Sequence, residues 1–483
     1  NRSSANIGSL LQGVSPNLNI FVPAAGGEPG AAPSWNIRGI GSLSGGGPLI
    51  LVDGVEMNIN NLEPESVESV SVLKDAAASA IYGSRAPFGV VLITTKKGSS
   101  KKAMSVTYTN NFALSSPINL PKMHNALMFA TAFNQMHANS GQAPKFPAAQ
   151  MDRIRGYMDG TYMPEYDTIN PPNSLWRGRH EGNADYDYID VIYKDYSMSQ
   201  KHNLSLSGGD QKTQYYISAG LFDQGSAYNW IDEYYRRYNI LANFTSNPTK
   251  WLSINLNTKF ANSVARHPTG SSGLTKTEMI YGIQTFPPLT PMYHVKGHII
   301  HPDINQMMRG GREDIINNDL WTTLGVELEP IENWKTIVLY SYNYNTGKYT
   351  KHDKQVFFEV PDGSFGNIGS PQSGFTQDWS ADNYYAFSAT TSYEKSFGGH
   401  NTRLMAGVEQ ELKKYSSLFG NRRELISEAV PSMNTATGAF QVNDRMSHWA
   451  TQAVFGRFNY DYKEIYLLEV NARYNGSSRF GSG

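Results

Sequence analysis

Beyond Gly98 the chain returns repeatedly to strict period-two alternation, and no other feature constrains its fold as tightly. Leu252, Ile254, Leu256 and Phe260 share one face of a segment whose other face carries Ser253, Asn255, Asn257 and Lys259. Tyr215, Ile217, Ala219 and Leu221 oppose Gln214, Tyr216, Ser218 and Gly220. Leu404, Ala406 and Val408 oppose Arg403, Gly407, Glu409 and Glu411, and Tyr466, Leu468, Val470, Ala472 and Tyr474 oppose Glu469, Asn471 and Arg473. Successive strand side chains point to opposite faces, so each segment is a ribbon with one apolar and one polar face. Candidate strands lie near 106–114, 202–208, 213–222, 236–245, 251–262, 320–328, 335–345, 384–394, 402–412, 450–461 and 465–474, with a weaker one near 348–358. Such ribbons suit a wall between lipid and a wet lumen, and equally a soluble sandwich with one exposed face. Polar, aromatic, Pro/Gly-rich stretches at about 115–198, 264–318 and 415–444 separate them and are candidates for extracellular loops.

Composition narrows the choice only a little. The 483 residues are enough for several domains or one large barrel. A formal net charge of −1 gives no reason to expect nucleic acid as a partner. With no cysteine there is neither a disulfide framework nor a thiolate metal site. No run approaches the roughly 18–20 apolar residues of a membrane helix, which excludes helical spans and leaves barrel strands open. The 29 tyrosines suit aromatic girdles, carbohydrate contact or ordinary β-rich loops. The chain starts at Asn1 without a Met and stops at Gly483 inside a motif, the pattern of a mature or partial chain with both ends missing.

Residues 48–98 have a different texture. Leu49–Val52 is a short apolar run that predicts a buried strand, and Asp53-Gly54 after it predicts a tight turn. Leu62-Glu63-Pro64-Glu65 reads as a helix entry, with Pro in the first turn and acids near the positive dipole end. Val70 and Val72 alternate with serines as a second strand. Asp75 is placed to cap a small-residue helix over 76–82 that Gly83 closes. Gly89 opens a third strand, Val90–Thr95, which Lys96-Lys97-Gly98 ends. The expectation is a small α/β module of about fifty residues.

This stretch resembles the plug of TonB-dependent outer-membrane transporters. The Val-Asp-Gly-Val turn at 52–55, Val-Glu-Ser-Val at 67–70 and Ile81-Tyr82-Gly83-Ser84 fit the superfamily. Leu73-Lys74-Asp75, Ser84-Arg85-Ala86 and Thr94-Thr95-Lys96-Lys97-Gly98 resemble the SusC/RagA branch more narrowly, with Pro87-Phe88 a local departure. Upstream, Leu10-Leu11-Gln12-Gly13-Val14 and Asn36-Ile37-Arg38-Gly39-Ile40-Gly41 are similar to the front half of that plug. Downstream, the branch's barrel start resembles residues 200–209, Lys212-Thr213-Gln214-Tyr215-Tyr216, Arg237-Tyr238-Asn239 and Trp251-Leu252. Its threonine-aspartate-tryptophan run is represented by Ala184-Asp185-Tyr186. A last match runs from Ala472 to Phe480, where Asn475 stands in place of the usual aspartate before glycine.

The resemblance implies a transmembrane antiparallel β-barrel with an N-terminal α/β plug in its lumen, 1–100 being the plug and 101–483 the first part of the barrel. Such barrels close with about 22 strands, so roughly half is present here. Half a barrel leaves edges whose bare amides cost several kcal/mol each in hydrocarbon, and closure therefore calls for chain beyond Gly483. The implied function is active nutrient import across the bacterial outer membrane, driven by TonB with ExbB and ExbD through a box upstream of the plug. The implied partners are a SusD-like surface lipoprotein, an oligosaccharide or oligopeptide cargo and outer-membrane lipid, in a possible dimer of the SusC–SusD pair. Alternatives are a siderophore or cobalamin receptor without a lid, a passive plugged pore, and a soluble glycan-binding β-protein. The plug-motif residues carried over are Arg38, Gly39, Asp53, Gly54, Lys74, Asp75, Tyr82, Gly83, Arg85, Gly89, Lys96, Lys97 and Gly98. Arg38 has two readings: an ion pair to a carboxylate of the barrel wall, or a structural pair inside the plug, the second being preferred.

Asp185, Asp187, Asp190 and Asp195 lack the Gly turn and terminal Glu of a calcium loop and read as a solvated acidic loop. His180, His202, His267, His294 and His301 form no two-His helical zinc pair. The glycines at 45–47 are not followed by Lys-Ser/Thr, and Gly-x-Ser-x-Gly is absent. Paired carboxylates such as Glu409 and Glu411 sit on a barrel-type strand. Trp176, Trp230, Trp321, Tyr342 and Tyr344 suit interfacial anchoring somewhat better than sugar stacking. No catalytic residue, cofactor or metal is expected.

Overall fold

The computed structural model describes residues 7–11, 18–21, 28–31, 33–37, 47–73, 82, 86, 88–99, 103–165, 182–270, 276–293, 297, 299–359 and 365–480. Its N-terminal part holds a two-stranded ribbon, β1 (Leu18–Phe21) with β2 (Ser34–Ile37), and a four-stranded sheet. That sheet comprises β3 (Leu49–Val52), β4 (Val55–Glu56), β5 (Val67–Leu73) and β6 (Val90–Thr95), in the order β4-β3-β6-β5. The β3–β6 pair is parallel and its neighbours antiparallel. Parallel neighbours buried on both faces read as unbroken apolar runs, which is why LILV and VVLI carry no alternation. Val52, Val90, Val91 and Ile93 are accordingly buried. Asp53 and Gly54 both take positive φ, 50° and 89°, the geometry of the tightest hairpin turn. The expected helix entry at 62–65 is only a short 3-10 turn, Pro64–Ser66, because the chain must re-enter a strand at once. The expected helix over 76–82 lies outside the described residues, apart from Tyr82.

The remaining strands of the described residues form one eleven-stranded antiparallel meander in strict sequence order. Its strands are β7 (Ser105–Ser115), β8 (Ser197–Gly209), β9 (Thr213–Gly225), β10 (Tyr234–Thr249), β11 (Leu252–Pro268), β12 (Gly311–Ile331), β13 (Trp334–Glu359), β14 (Phe365–Phe397), β15 (His400–Arg423), β16 (Phe440–Tyr462) and β17 (Tyr466–Ser477). The weak candidate at 348–358 is no separate strand but the outer half of β13. At 26 and 33 residues, β13 and β14 far exceed the 9–11 residues that a tilted strand needs to cross hydrocarbon. The connections at 210–212, 250–251, 332–333, 398–399 and 463–465 are short and lie at one end. Those at 116–196, 226–233, 269–310 and 424–439, as far as they are described, lie at the other. That asymmetry fits the expected arrangement of an outer-membrane barrel, with short turns on the periplasmic side and long loops outside. Helices Tyr188–Ile192, Lys276–Gln284 and Pro302–Arg309 from two long loops share a core of their own around Tyr188, Met279, Ile283 and Ile304.

The faces of the wall are inverted relative to a soluble sheet. Its outward face exposes Ile217, Ile240, Phe244, Leu256, Leu324, Tyr340 and Phe387. Its inward face buries Lys201, Asn203, Arg237, Asn239, Asn243, Lys259, Asp319, Thr323, Ser341 and Asn343. A sandwich would bury the apolar side, so this inversion decides between the two folds that alternation left open. What covers the polar face is the N-terminal module. Trp321 and Tyr384 of the wall join the module's own core with Val52, Val55, Ile59 and Leu62. No helix of the described residues is long and apolar enough to cross a membrane.

Candidate functional site

The candidate site is the boundary between module and wall, and two module carboxylates organise it. The turn that gives Asp53 its positive φ swings its side chain back across β6, where Oδ1 accepts from the Thr95 amide at 2.9 Å and Oδ2 from the Thr95 hydroxyl at 2.8 Å. Lys259 Nζ of β11 lies 2.8 Å from the same Oδ2, and Asn257 Nδ2 donates to it at 3.3 Å. Burial pushes the Asp53 carboxyl up, but the Lys259 ammonium and the Thr95 bonds outweigh it and hold the group below its ordinary value. One strand over, Asn243 Nδ2 donates to the Thr95 hydroxyl at 2.9 Å and to the Lys96 carbonyl at 2.6 Å.

Glu63 is the second. It precedes the short turn Pro64–Ser66 and is almost wholly buried. Lys201 Nζ of β8 lies 2.8 Å from Oε1, and Arg237 Nη2 of β10 lies 3.2 Å from Oε2. Arg237, itself 2 % exposed, also donates to the Asn60 carbonyl at 2.6 Å and to Asn239 Oδ1 at 2.7 Å. Asn239 Nδ2 then donates to the Asn61 carbonyl at 2.6 Å, and Asn61 Nδ2 to Asp319 of β12 at 2.8 Å. A buried guanidinium is tolerable only with its donors matched in this way. A third link lies toward the outer loops, where Lys276 sits 3.0 Å from Glu28 of the module and also bonds the buried Glu233.

Seven of the sequence-selected plug residues are described. Asp53 and Gly54 form the turn, and Lys96 receives Asn243 while its own amide donates to the Ser66 carbonyl at 2.8 Å. Gly89 has a φ of 93° and its carbonyl accepts from Leu49 at 3.0 Å. Gly98 passes so close to the wall that a Cβ there would stand 2.3 Å from the Tyr215 amide nitrogen. Tyr82 and Lys97 line a cavity beside the Asp53 turn. Arg38, Gly39, Lys74, Asp75, Gly83 and Arg85 lie outside the described residues.

The polarity of the lock is the reverse of the one considered for Arg38: the module supplies the carboxylates, and the wall supplies Lys201, Arg237 and Lys259. Sequence reasoning passed over these wall residues and took Glu63 for a helix-dipole acid. The available signal was a cation two residues from an asparagine at inward positions of three strands: Lys201 with Asn203, Arg237 with Asn239, Lys259 with Asn257. Asp185 accepts from the Ala126 amide at 2.7 Å, and Asp187 caps Tyr188–Ile192 through the Ile189 amide at 3.0 Å. His301 caps Pro302–Arg309, His202 meets the Tyr108 hydroxyl, and His267 meets Glu233. Trp321 neither anchors at the lipid interface nor stands free for sugar, since it packs between wall and module. Trp176, His180 and His294 fall outside the described residues. Among the described residues no three His, Cys, Asp or Glu converge to hold a metal.

Against this geometry the comparisons are informative. The TonB-dependent Receptor Plug Domain family matches residues 1–90. TonB-dependent receptor P3 of Formosa agariphila is 27% identical over 94% of this chain and 42% of its own length. TonB-dependent receptor SusC of Bacteroides thetaiotaomicron is 25% identical over 99% of this chain and 46% of its own. This chain is similar along nearly its whole length to TonB-dependent receptors of the SusC/RagA type. It spans under half the length of those curated relatives. The RagAB peptide importer in its open-open state shares the receptor's fold with a TM-score of 0.79, at 22% identity over all of this chain and 54% of that one. The receptor is thus an outer-membrane β-barrel protein with a plug.

Proposed function

We propose that this receptor imports a nutrient across the bacterial outer membrane by TonB-dependent active transport, as the SusC-like barrel partner of a SusD-like surface lipoprotein. In this reading residues 1–100 are the plug and 101–483 the first part of the barrel. TonB, energised through ExbB and ExbD, pulls the plug from the periplasmic side, and the cargo is an oligosaccharide or oligopeptide captured at the outer mouth. No catalytic step is involved.

The observation that carries the reading is the chemistry of the plug–wall boundary. Apart from the apolar contacts of Trp321 and Tyr384, the plug is held by hydrogen bonds and ion pairs between polar groups, which entering water can replace. Each neutral bond has a net worth of about 0.5–1.5 kcal/mol, so such a plug can be displaced and reseated repeatedly. An apolar boundary of the same size would resist wetting. The test is purification of the full-length receptor from outer membranes in detergent, with mass spectrometry of what accompanies it. A co-purifying lipoprotein with bound peptide or glycan supports the reading. A receptor without lipoprotein that carries an iron chelate would replace it with the siderophore reading.

A further inference from the structure

The plug is not held evenly. Among the described residues, its ion pairs to the membrane wall go to β8, β10 and β11, through Lys201, Arg237 and Lys259. A chain of cavities lies between the wall and plug residues 48–58, its upper and narrow members against β12–β16 and its lowest beneath the Asp53-Gly54 turn. The lowest, about 430 Å³, lies under the Asp53-Gly54 turn, lined by Asn243 and Asn257 of β10 and β11, and extends to Gly325 of β12 and Leu339 of β13 near the periplasmic turns. It adjoins a narrow one of about 60 Å³, the two sharing Gly54 and Leu339. The narrow one adjoins an upper cavity of about 450 Å³, the two sharing Glu56 and Tyr384. The cavities thus follow one seam around the Asp53-Gly54 turn, and the constriction lies where the Tyr384 hydroxyl donates to Glu411 at 2.8 Å.

We propose that this seam is where the plug yields, so that solute passes between residues 48–58 and β12–β15 and leaves through the cavity beneath the Asp53-Gly54 turn, while the ion pairs to β8, β10 and β11 stay made. The inference rests on the import reading above and gives it a route. Contacts on the β8–β11 side are buried ion pairs, costly to separate because each leaves a desolvated charge. The seam holds cavities, and widening it requires the plug hairpin to move away from Trp321 and Tyr384, against which it packs at rest. Its lining also selects a class of solute. Trp321, Tyr384 and Trp449 follow one another with ring centroids 5.7 and 6.3 Å apart; Trp321 and Tyr384 are covered by the plug at rest, and withdrawal of the hairpin would uncover them to a sugar ring or a peptide. Glu56, Asp319, Asp382, Glu409 and Glu411 line the upper and narrow cavities with Lys413 as the cation among their lining residues, and Arg473 reaches Glu409 from the neighbouring strand. The seam therefore suits a neutral or cationic polar chain and disfavours an anionic one.

Four conservative substitutions test this in a cysteine-free full-length receptor produced in cells fed peptone and polysaccharide. Ser341→Cys and Ser388→Cys lie on the seam, Ser218→Cys and Ser263→Cys on the attached side, and Ser341 and Ser218 are equally buried at rest. The probes are a trimethylammonium and a sulfonate methanethiosulfonate, added outside and normalised to their rates with free thiol. The seam positions are expected to react severalfold faster in energised cells than after a protonophore, with the cationic reagent leading, and the attached positions to stay protected in both states. Gradient-dependent labelling of Ser218→Cys or Ser263→Cys that equals or exceeds the seam would overturn the route and leave active import standing. Labelling of the seam that ignores the gradient would overturn the gate, and a faster anionic reagent would overturn the solute class. If no position responds to the gradient, the import reading itself fails and the seam falls with it.

Discussion

Asp53 and Lys259 lie 206 positions apart in the chain, yet their charged atoms meet at 2.8 Å across the plug–wall boundary. Thr95 holds the carboxylate from the plug side, and Asn257 supports both partners from the wall, bonding Asp53 at 3.3 Å and Lys259. The pair ties the tightest turn of the plug to the middle of the sheet. Separating it exposes to water two groups already matched to hydrogen-bonding partners.

Removing one member of this pair leaves the other charged and buried, a loss of about 3–5 kcal/mol for pairs of this kind. Lys259→Met is therefore expected to loosen the plug severely. Asp53→Asn with Lys259→Met together is expected to cost less than the sum of the two single changes. The measurement is a double-mutant cycle on the temperature at which the plug of the full-length receptor becomes sensitive to protease. Additive effects would show that the pair does not couple plug to wall.

The same pair predicts a pH dependence with a definite sign. The Asp53 carboxyl is held below its ordinary 3.8 in the folded receptor, so its contribution is complete above that value. It is lost as pH falls further, through the depressed folded value, while neutral and mildly acidic pH leave it intact. Protease sensitivity of the plug followed from pH 7 downward checks this. In Lys259→Met burial dominates and the carboxyl rises, so the loss is expected to begin at higher pH.

Glu63 and Glu65 both meet Lys201, at 2.8 and 3.4 Å, but their worth should differ widely. The Glu65 side chain is 47% exposed and its pair is worth under about 1 kcal/mol. Glu63→Gln would strip the matched charge from buried Arg237 and is expected to release the plug far more readily than Glu65→Gln. Equal effects in the same protease assay would contradict the burial argument.

Leu324 and Thr323 are adjacent on β12 and face opposite media: Leu324 is exposed outward, and Thr323 is buried inward against Ser341 at 2.8 Å. An Arg on the lipid face near the midplane costs about 2–4 kcal/mol. Leu324→Arg is expected to lower the yield of barrel folded into outer membranes, measured by heat-modifiable mobility on gels, whereas Thr323→Ser should leave it unchanged.

The sequence made the wall legible wherever one face was apolar. The candidates at 106–114 and 213–222 correspond to Ser105–Ser115 and Thr213–Gly225. It understated length where strands rise above the membrane, because polar residues on both faces erase the alternation. The candidate at 320–328 is thus only the inner part of Gly311–Ile331. Leu49–Val52 and Val90–Thr95 were readable because both faces of the plug's central strands are buried. The lock was not readable. Glu63 finds Arg237 174 positions away, and only the register of β8 to β11 brings Lys201, Arg237 and Lys259 to face one plug.

The most direct test of the account is solute accumulation in cells carrying the full-length receptor, measured before and after a protonophore collapses the proton gradient. The tracer is whichever peptide or glycan co-purifies with the receptor, prepared in radiolabelled form. A plug seated by replaceable polar contacts and moved by TonB predicts that accumulation stops while the barrel stays folded in the membrane. Accumulation that continues unchanged would contradict it.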